Sequence, residues 1–149
     1  MDWLGALEAA APVAALKASF VAYPLVNALH IAAVGALVTL VVLMDLRLLG
    51  FLRGFDEKAL TGRFRRLALA AFAVAAASGF CLFAVRARDY AANPAFLAKL
   101  AIVALAGVNF AVFLAASRGG RPGLARAAVL VSLLAWPAAL VAGRFIAFL

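Results

Sequence analysis

Residues 20–50, FVAYPLVNALHIAAVGALVTLVVLMDLRLLG, form an apolar run longer than the roughly 20 residues that a helix needs to cross a hydrocarbon core. The run contains the only histidine of the chain, His30. A segment of this kind has few places to go. Its backbone must close its own hydrogen bonds as a helix, and its side chains must meet lipid or other apolar helices.

The remainder of the chain repeats the pattern. Of 149 residues, 69% are hydrophobic and only 13% are charged, which leaves too little polar surface to cover a water-soluble fold of this size. The expected fold class is all-α: an integral membrane up-down four-helix bundle with a short N-terminal interfacial helix, forming a single membrane domain over residues 1–149. Spans are expected at about 19–44, 67–85, 95–116 and 124–148. Pro24 and Pro94 fall in first turns, where a missing N–H costs least. Pro137 lies in the middle of the fourth span and frees the carbonyl of Leu133, so a kink is expected there. Residues 1–17 are too short and too interrupted by Pro12 to span; Trp3, Leu4 and Leu7 share a face that suits the membrane surface. Asp2 and Glu8 stand where a signal peptide would carry basic residues.

The net charge of +8 comes from residues at the ends of the apolar runs, which argues for lipid headgroups and against nucleic acid as the partner. The connection after the first span holds Arg47, Arg53, Lys58, Arg63, Arg65 and Arg66; that after the third holds Arg118, Arg121 and Arg126. The opposite side has Lys17, Arg86, Arg88 and Arg144, diluted by Asp2, Glu8 and Asp89. The positive-inside rule then puts both termini outside the cytoplasm, in the periplasm of a bacterial inner membrane.

Polar residues inside a span are costly and are candidates for function. His30 is expected near the midplane, with Asn27 and Tyr23 above it on one helical face. Two readings of His30 are open: ligation of a haem or metal, or a hydrogen bond to a neighbouring helix. Lys99 either snorkels to the headgroups or faces the bundle and holds an anion such as a carboxylate or a haem propionate, a task Arg144 would share. Asp45 is expected to pair with Arg47 or with Arg63, Arg65 or Arg66, and Asn109 and Ser78 to bridge helices. Trp136 reads as packing. Ala71, Ala75 and Gly79 form a small-residue stripe that permits close helix approach, within the chain or in a homo-oligomer.

Ligand supply limits the chemistry. Met44 is about 21 Å along the helix from His30, and Cys81 lies at another depth, so copper finds no convergent soft ligands. One histidine suffices as the protein ligand of a haem b. No nucleophile–base pair, carboxylate pair or phosphate loop points to an enzyme.

The motifs YPLVNALH and DLRLLG in the first span, with NPAFLAK opening the third, resemble a small, uncharacterised family of bacterial four-helix inner-membrane proteins. The histidine-bearing first helix and the Lys99-to-Asn109 spacing are similar, more weakly, to the membrane domain of the copper-resistance D type and to four-helix b-type cytochromes. The latter resemblance implies a haem held between helices; this chain has one histidine where those proteins use pairs. Three functions follow as expectations. The first is a non-catalytic haem- or metal-binding subunit that uses His30, Tyr23, Asn27, Lys99 and Arg144, with electron transfer to a membrane or periplasmic partner as its role. The second is a cofactor-free scaffold or accessory subunit of a larger membrane complex. The third is a small oligomeric transporter or channel.

Overall fold

A computed structural model describes residues 2–54 and 56–148. The helices are α1 (Trp3–Ala9), α2 (Ala11–Ala18), α3 (Ala22–Leu48), α4 (Glu57–Val85), α5 (Ala87–Ala92), α6 (Pro94–Arg118) and α7 (Pro122–Phe145). Of these, α3, α4, α6 and α7 are long and apolar enough to cross a bilayer. The chain is a multi-pass membrane protein folded as a four-helix bundle.

Side-chain size sorts in the sense expected for a lipid-exposed protein. Most buried apolar residues are alanines, among them Ala33, Ala68, Ala75, Ala106, Ala128 and Ala139, whereas Leu25, Ile31, Leu67, Leu105 and Leu134 are exposed. Lipid tails are as apolar as leucine, so burying leucine between helices gains little; small residues gain by letting backbones approach. Of the small-residue stripe on α4, Ala75 is buried and Ala71 and Gly79 are half-buried; Ala68 and Ser78 beside it are buried, and α3 packs closely along α4.

The helices run past the apolar stretches that mark them in the sequence. α3 continues to Leu48 and α4 begins at Glu57, ten residues before its apolar run opens at Leu67. Hydropathy registers where lipid begins; helix ends are set by caps. Asp56 caps α4 by accepting a 2.6 Å bond from Ala59 N–H, and Glu57 sits in the first turn, where a negative charge is favourable. Asn93 caps α6 in the same way, accepting from Phe96 N–H at 3.0 Å. α6 ends at a turn through Gly120, whose φ of +63° suits glycine, and α7 restarts at Pro122. Pro137 lies inside α7, which continues through it.

The bundle is two antiparallel hairpins, α3/α4 and α6/α7, joined along α3 and α7. No Cα of α4 comes within 8 Å of one in α6. That side is bridged at the end that holds the chain termini, where Phe83 of α4 stacks on Phe96 of α6 with centroids 5.5 Å apart and Tyr90 of α5 packs against both rings. The N-terminal segment is two short helices rather than one, with Pro12 in the first turn of α2. They fold back onto α5, α4 and α3. Asp2 pairs with Arg88, and Glu8 accepts a 2.9 Å bond from Arg88 N–H. Asn93 also donates to the Ile146 carbonyl near the C-terminal end, so both ends of the chain lie at one end of the bundle.

Candidate functional site

His30 projects from α3 onto α4. Its Nδ1 lies 2.9 Å from the Ala75 carbonyl oxygen and 3.1 Å from Ser78 Oγ. A carbonyl oxygen only accepts, so Nδ1 carries the proton. Ser78 gives its own proton to the Val74 carbonyl at 2.6 Å, which leaves its oxygen free to accept as well. In the neutral imidazole this leaves the lone pair on Nε2. Among the described residues nothing hydrogen-bonds that nitrogen.

Gly79 makes room for the ring. A Cβ there would lie 2.9 Å from His30 Cε1 and 3.3 Å from Nδ1. The sequence marks Gly79 as one of a small stripe; its particular task as the imidazole's seat appears only when α3 and α4 are in register.

Lys99 comes from α6 and lies along α7 at Gly143. Its Nζ is 3.4 Å, and its Cδ and Cε 3.5 Å, from where a Gly143 Cβ would stand. Lys99 is half-buried, and among the described residues it has no carboxylate partner. Tyr23 is half-buried near the start of α3, with its hydroxyl beside Tyr90. Burial, and then the neighbouring Tyr23, hold the Tyr90 phenol above its ordinary pKa. Asn27, between Tyr23 and His30 in sequence, is exposed. Arg144 is exposed next to Gly143, with its guanidinium carbon 4.8 Å from the centre of the Phe148 ring.

Of the residues singled out from the sequence, His30 seats against Gly79 of α4 and Lys99 against Gly143 of α7. Tyr23 lies beside Tyr90, Arg144 packs on Phe148, and Asn27 is exposed. The aromatic cluster of Phe83, Tyr90 and Phe96 roofs the end that holds the chain termini. About two turns below Gly79 along α4, Phe72 meets Trp136 of α7 edge-on at 6.2 Å. Trp136 is accordingly a packing residue.

Three further polar residues act elsewhere. Asn109 donates a 2.8 Å bond to the Ala128 carbonyl and ties α6 to α7. Asp45 is buried at 6% exposure and faces Ser132 of α7, with no hydrogen-bond partner for Oδ2. The arginine pairing expected for Asp45 is not its contact; instead Arg47 pairs with Glu57 at 3.2 Å, because α4 starts early enough to present that carboxylate. Cys81 is exposed. Among the described residues no three His, Cys, Asp or Glu side chains converge as a metal-ligand group.

Comparison with protein-family models, with characterised proteins and with solved structures finds no match.

Proposed function

We propose that this chain is a non-catalytic subunit of a bacterial inner membrane that holds a haem through His30, with the site in the periplasmic half of the bundle. The observation that carries the reading is the bond from Nδ1–H to the Ala75 carbonyl. It fixes the tautomer and the ring orientation and leaves Nε2 as a directed ligand, the arrangement in which ligating histidines are held. The donor set fits a macrocycle better than a bare ion. Haem brings its own equatorial nitrogens and needs one axial side chain, whereas a bare ion needs several ligands, and no such group converges among the described residues. Lys99, half-buried without a carboxylate partner, suits an anionic substituent of such a group. Bound haem would supply one-electron redox chemistry, and passage of an electron to a membrane or periplasmic partner is the role it would serve. The excess of basic residues on the two connections opposite the chain ends supports periplasmic termini.

The test is the optical spectrum of protein purified from its native membrane. A Soret band that is lost in His30→Ala and restored by added imidazole supports the reading. Colourless wild-type protein, without iron, rejects it.

One observation favours a second reading, a cofactor-free accessory subunit. The bond to Ala75 already satisfies one polar atom of His30 and ties α3 to α4, so it has structural value with nothing bound. In that case His30→Ala would weaken assembly with a partner and leave no spectrum to change.

A further inference from the structure

At the opposite, basic end of the bundle the connection between α3 and α4 leaves a half-open cleft of about 380 Å3. This is within the roughly 300–1,000 Å3 that small-molecule sites occupy. Its walls are apolar: Leu43 from α3, Leu52 from the connection, and Leu60 and Phe64 from α4. Two charged residues line it, Asp56 and Arg63. Asp56 is already engaged in capping α4. Arg63 is exposed and, among the described residues, has no carboxylate partner.

The depth is informative. Arg63 stands one helical turn before Leu67, where the apolar run of α4 begins, so its guanidinium is at headgroup level while Leu43 and Phe64 reach toward the hydrocarbon. Arg65 and Arg66 follow directly, and Arg53 is fixed in the connection by a 2.9 Å bond from Nε to the Gly50 carbonyl. Leu52 has a φ of +53°, a left-handed conformation that is costly for a bulky residue. Backbone held in such a region marks a place where the surroundings over-determine a shape. Here that shape sets a leucine against the cleft.

We propose that this cleft binds one anionic phospholipid, with part of an acyl chain against Leu43, Leu60 and Phe64 and the phosphate on Arg63. Charge complementarity selects the headgroup, and the apolar walls at the edge of the hydrocarbon select a lipid over a soluble anion. The site is independent of the His30 reading.

Native mass spectrometry of the full chain in mild detergent tests it, with phosphatidylglycerol, phosphatidylcholine of the same chains, and inorganic phosphate as probes. Wild type should retain phosphatidylglycerol roughly fivefold more than phosphatidylcholine, the factor expected from one basic side chain at an anionic surface. Arg63→Gln should abolish that preference, Arg63→Lys should keep most of it, and Leu60→Trp, which fills the cleft, should reduce retention of both lipids. Arg126→Gln, near the start of α7 at the same basic end of the bundle, should change nothing. Each variant is first checked for wild-type helix content. Equal retention of the two lipids by wild type overturns the proposal. So does a loss in Arg126→Gln as large as in Arg63→Gln, or displacement of the lipid by inorganic phosphate.

Discussion

Adding one methyl group at Gly79 should change sign in its effect on stability, depending on whether His30 is present. In wild type, the Cβ of Gly79→Ala would lie 2.9 Å from Cε1 and 3.3 Å from Nδ1 of the imidazole. The first distance is well inside carbon–carbon contact, so the ring must move, and moving it stretches the 2.9 Å bond to Ala75. Overpacking costs about 1–3 kcal/mol. A strained interhelical hydrogen bond adds about 0.6 kcal/mol. Against this, alanine is about 1 kcal/mol better than glycine within a helix. The net change is a destabilisation of about 0.5–2.5 kcal/mol. In a His30→Ala background the clash and the bond are both gone, and the same substitution should stabilise by up to about 1 kcal/mol. The coupling between the two positions is therefore about 1.5–3.5 kcal/mol, well above the scatter of about 0.5 kcal/mol for independent sites. Reversible unfolding in mixed micelles, run as a double-mutant cycle, measures it. Gly143→Ala serves as the control: its Cβ would meet Lys99 at 3.4–3.5 Å, ordinary contact with a flexible chain, and should be neutral or mildly stabilising. Additive effects of Gly79→Ala and His30→Ala would refute the packing of the imidazole on Gly79.

Other outcomes follow from the same geometry. Asn109→Leu removes the 2.8 Å bond to Ala128 and should destabilise the α6/α7 hairpin by roughly 0.6–1.7 kcal/mol in the same unfolding assay. Asp45→Asn keeps the shape and the acceptor that faces Ser132 while removing a buried carboxyl, and should leave stability within about 1 kcal/mol of wild type or raise it. Asp2→Asn weakens only an exposed pair with Arg88 and should cost less than about 1 kcal/mol, with the difference shrinking in high salt. Tyr90, half-buried beside Tyr23, should ionise above the ordinary tyrosine value of about 10 in an ultraviolet titration. Because its pKa is raised by folding, its contribution to stability is complete below that ordinary value and declines as pH climbs from it through the folded value; Tyr90→Phe should flatten this decline.

The membrane class and the four crossings are legible in the sequence because the period and length of the apolar runs are dictated by the bilayer. The helix ends are less so. Arg47, Arg63, Arg65 and Arg66 read as a polar connection, yet all four are helical, since arginine favours helix and Asp56 supplies a cap well before lipid begins. Among site residues, the histidine and lysine are visible as polar atoms in apolar runs. What they touch depends on the register between helices, which single-helix periodicity does not encode. Gly79 and Gly143 therefore read only as small residues, and the Phe83–Tyr90–Phe96 cluster, drawn from three elements, has no local pattern to announce it. Asn27 shares a helical face with His30 in projection but remains exposed, because α4 covers only part of that face.

The central claim is that His30 donates from Nδ1 to Ala75 and keeps Nε2 for a ligand. Nitrogen-15 magnetic resonance of histidine-labelled protein in bilayers reads this directly, since the chain has a single histidine. A protonated Nδ1 with an unprotonated Nε2, the latter shifted when cofactor is bound, is the predicted result. A proton on Nε2 with Nδ1 bare would contradict the account, because Nδ1 would then have no proton to give the Ala75 carbonyl and the ligand position would be closed.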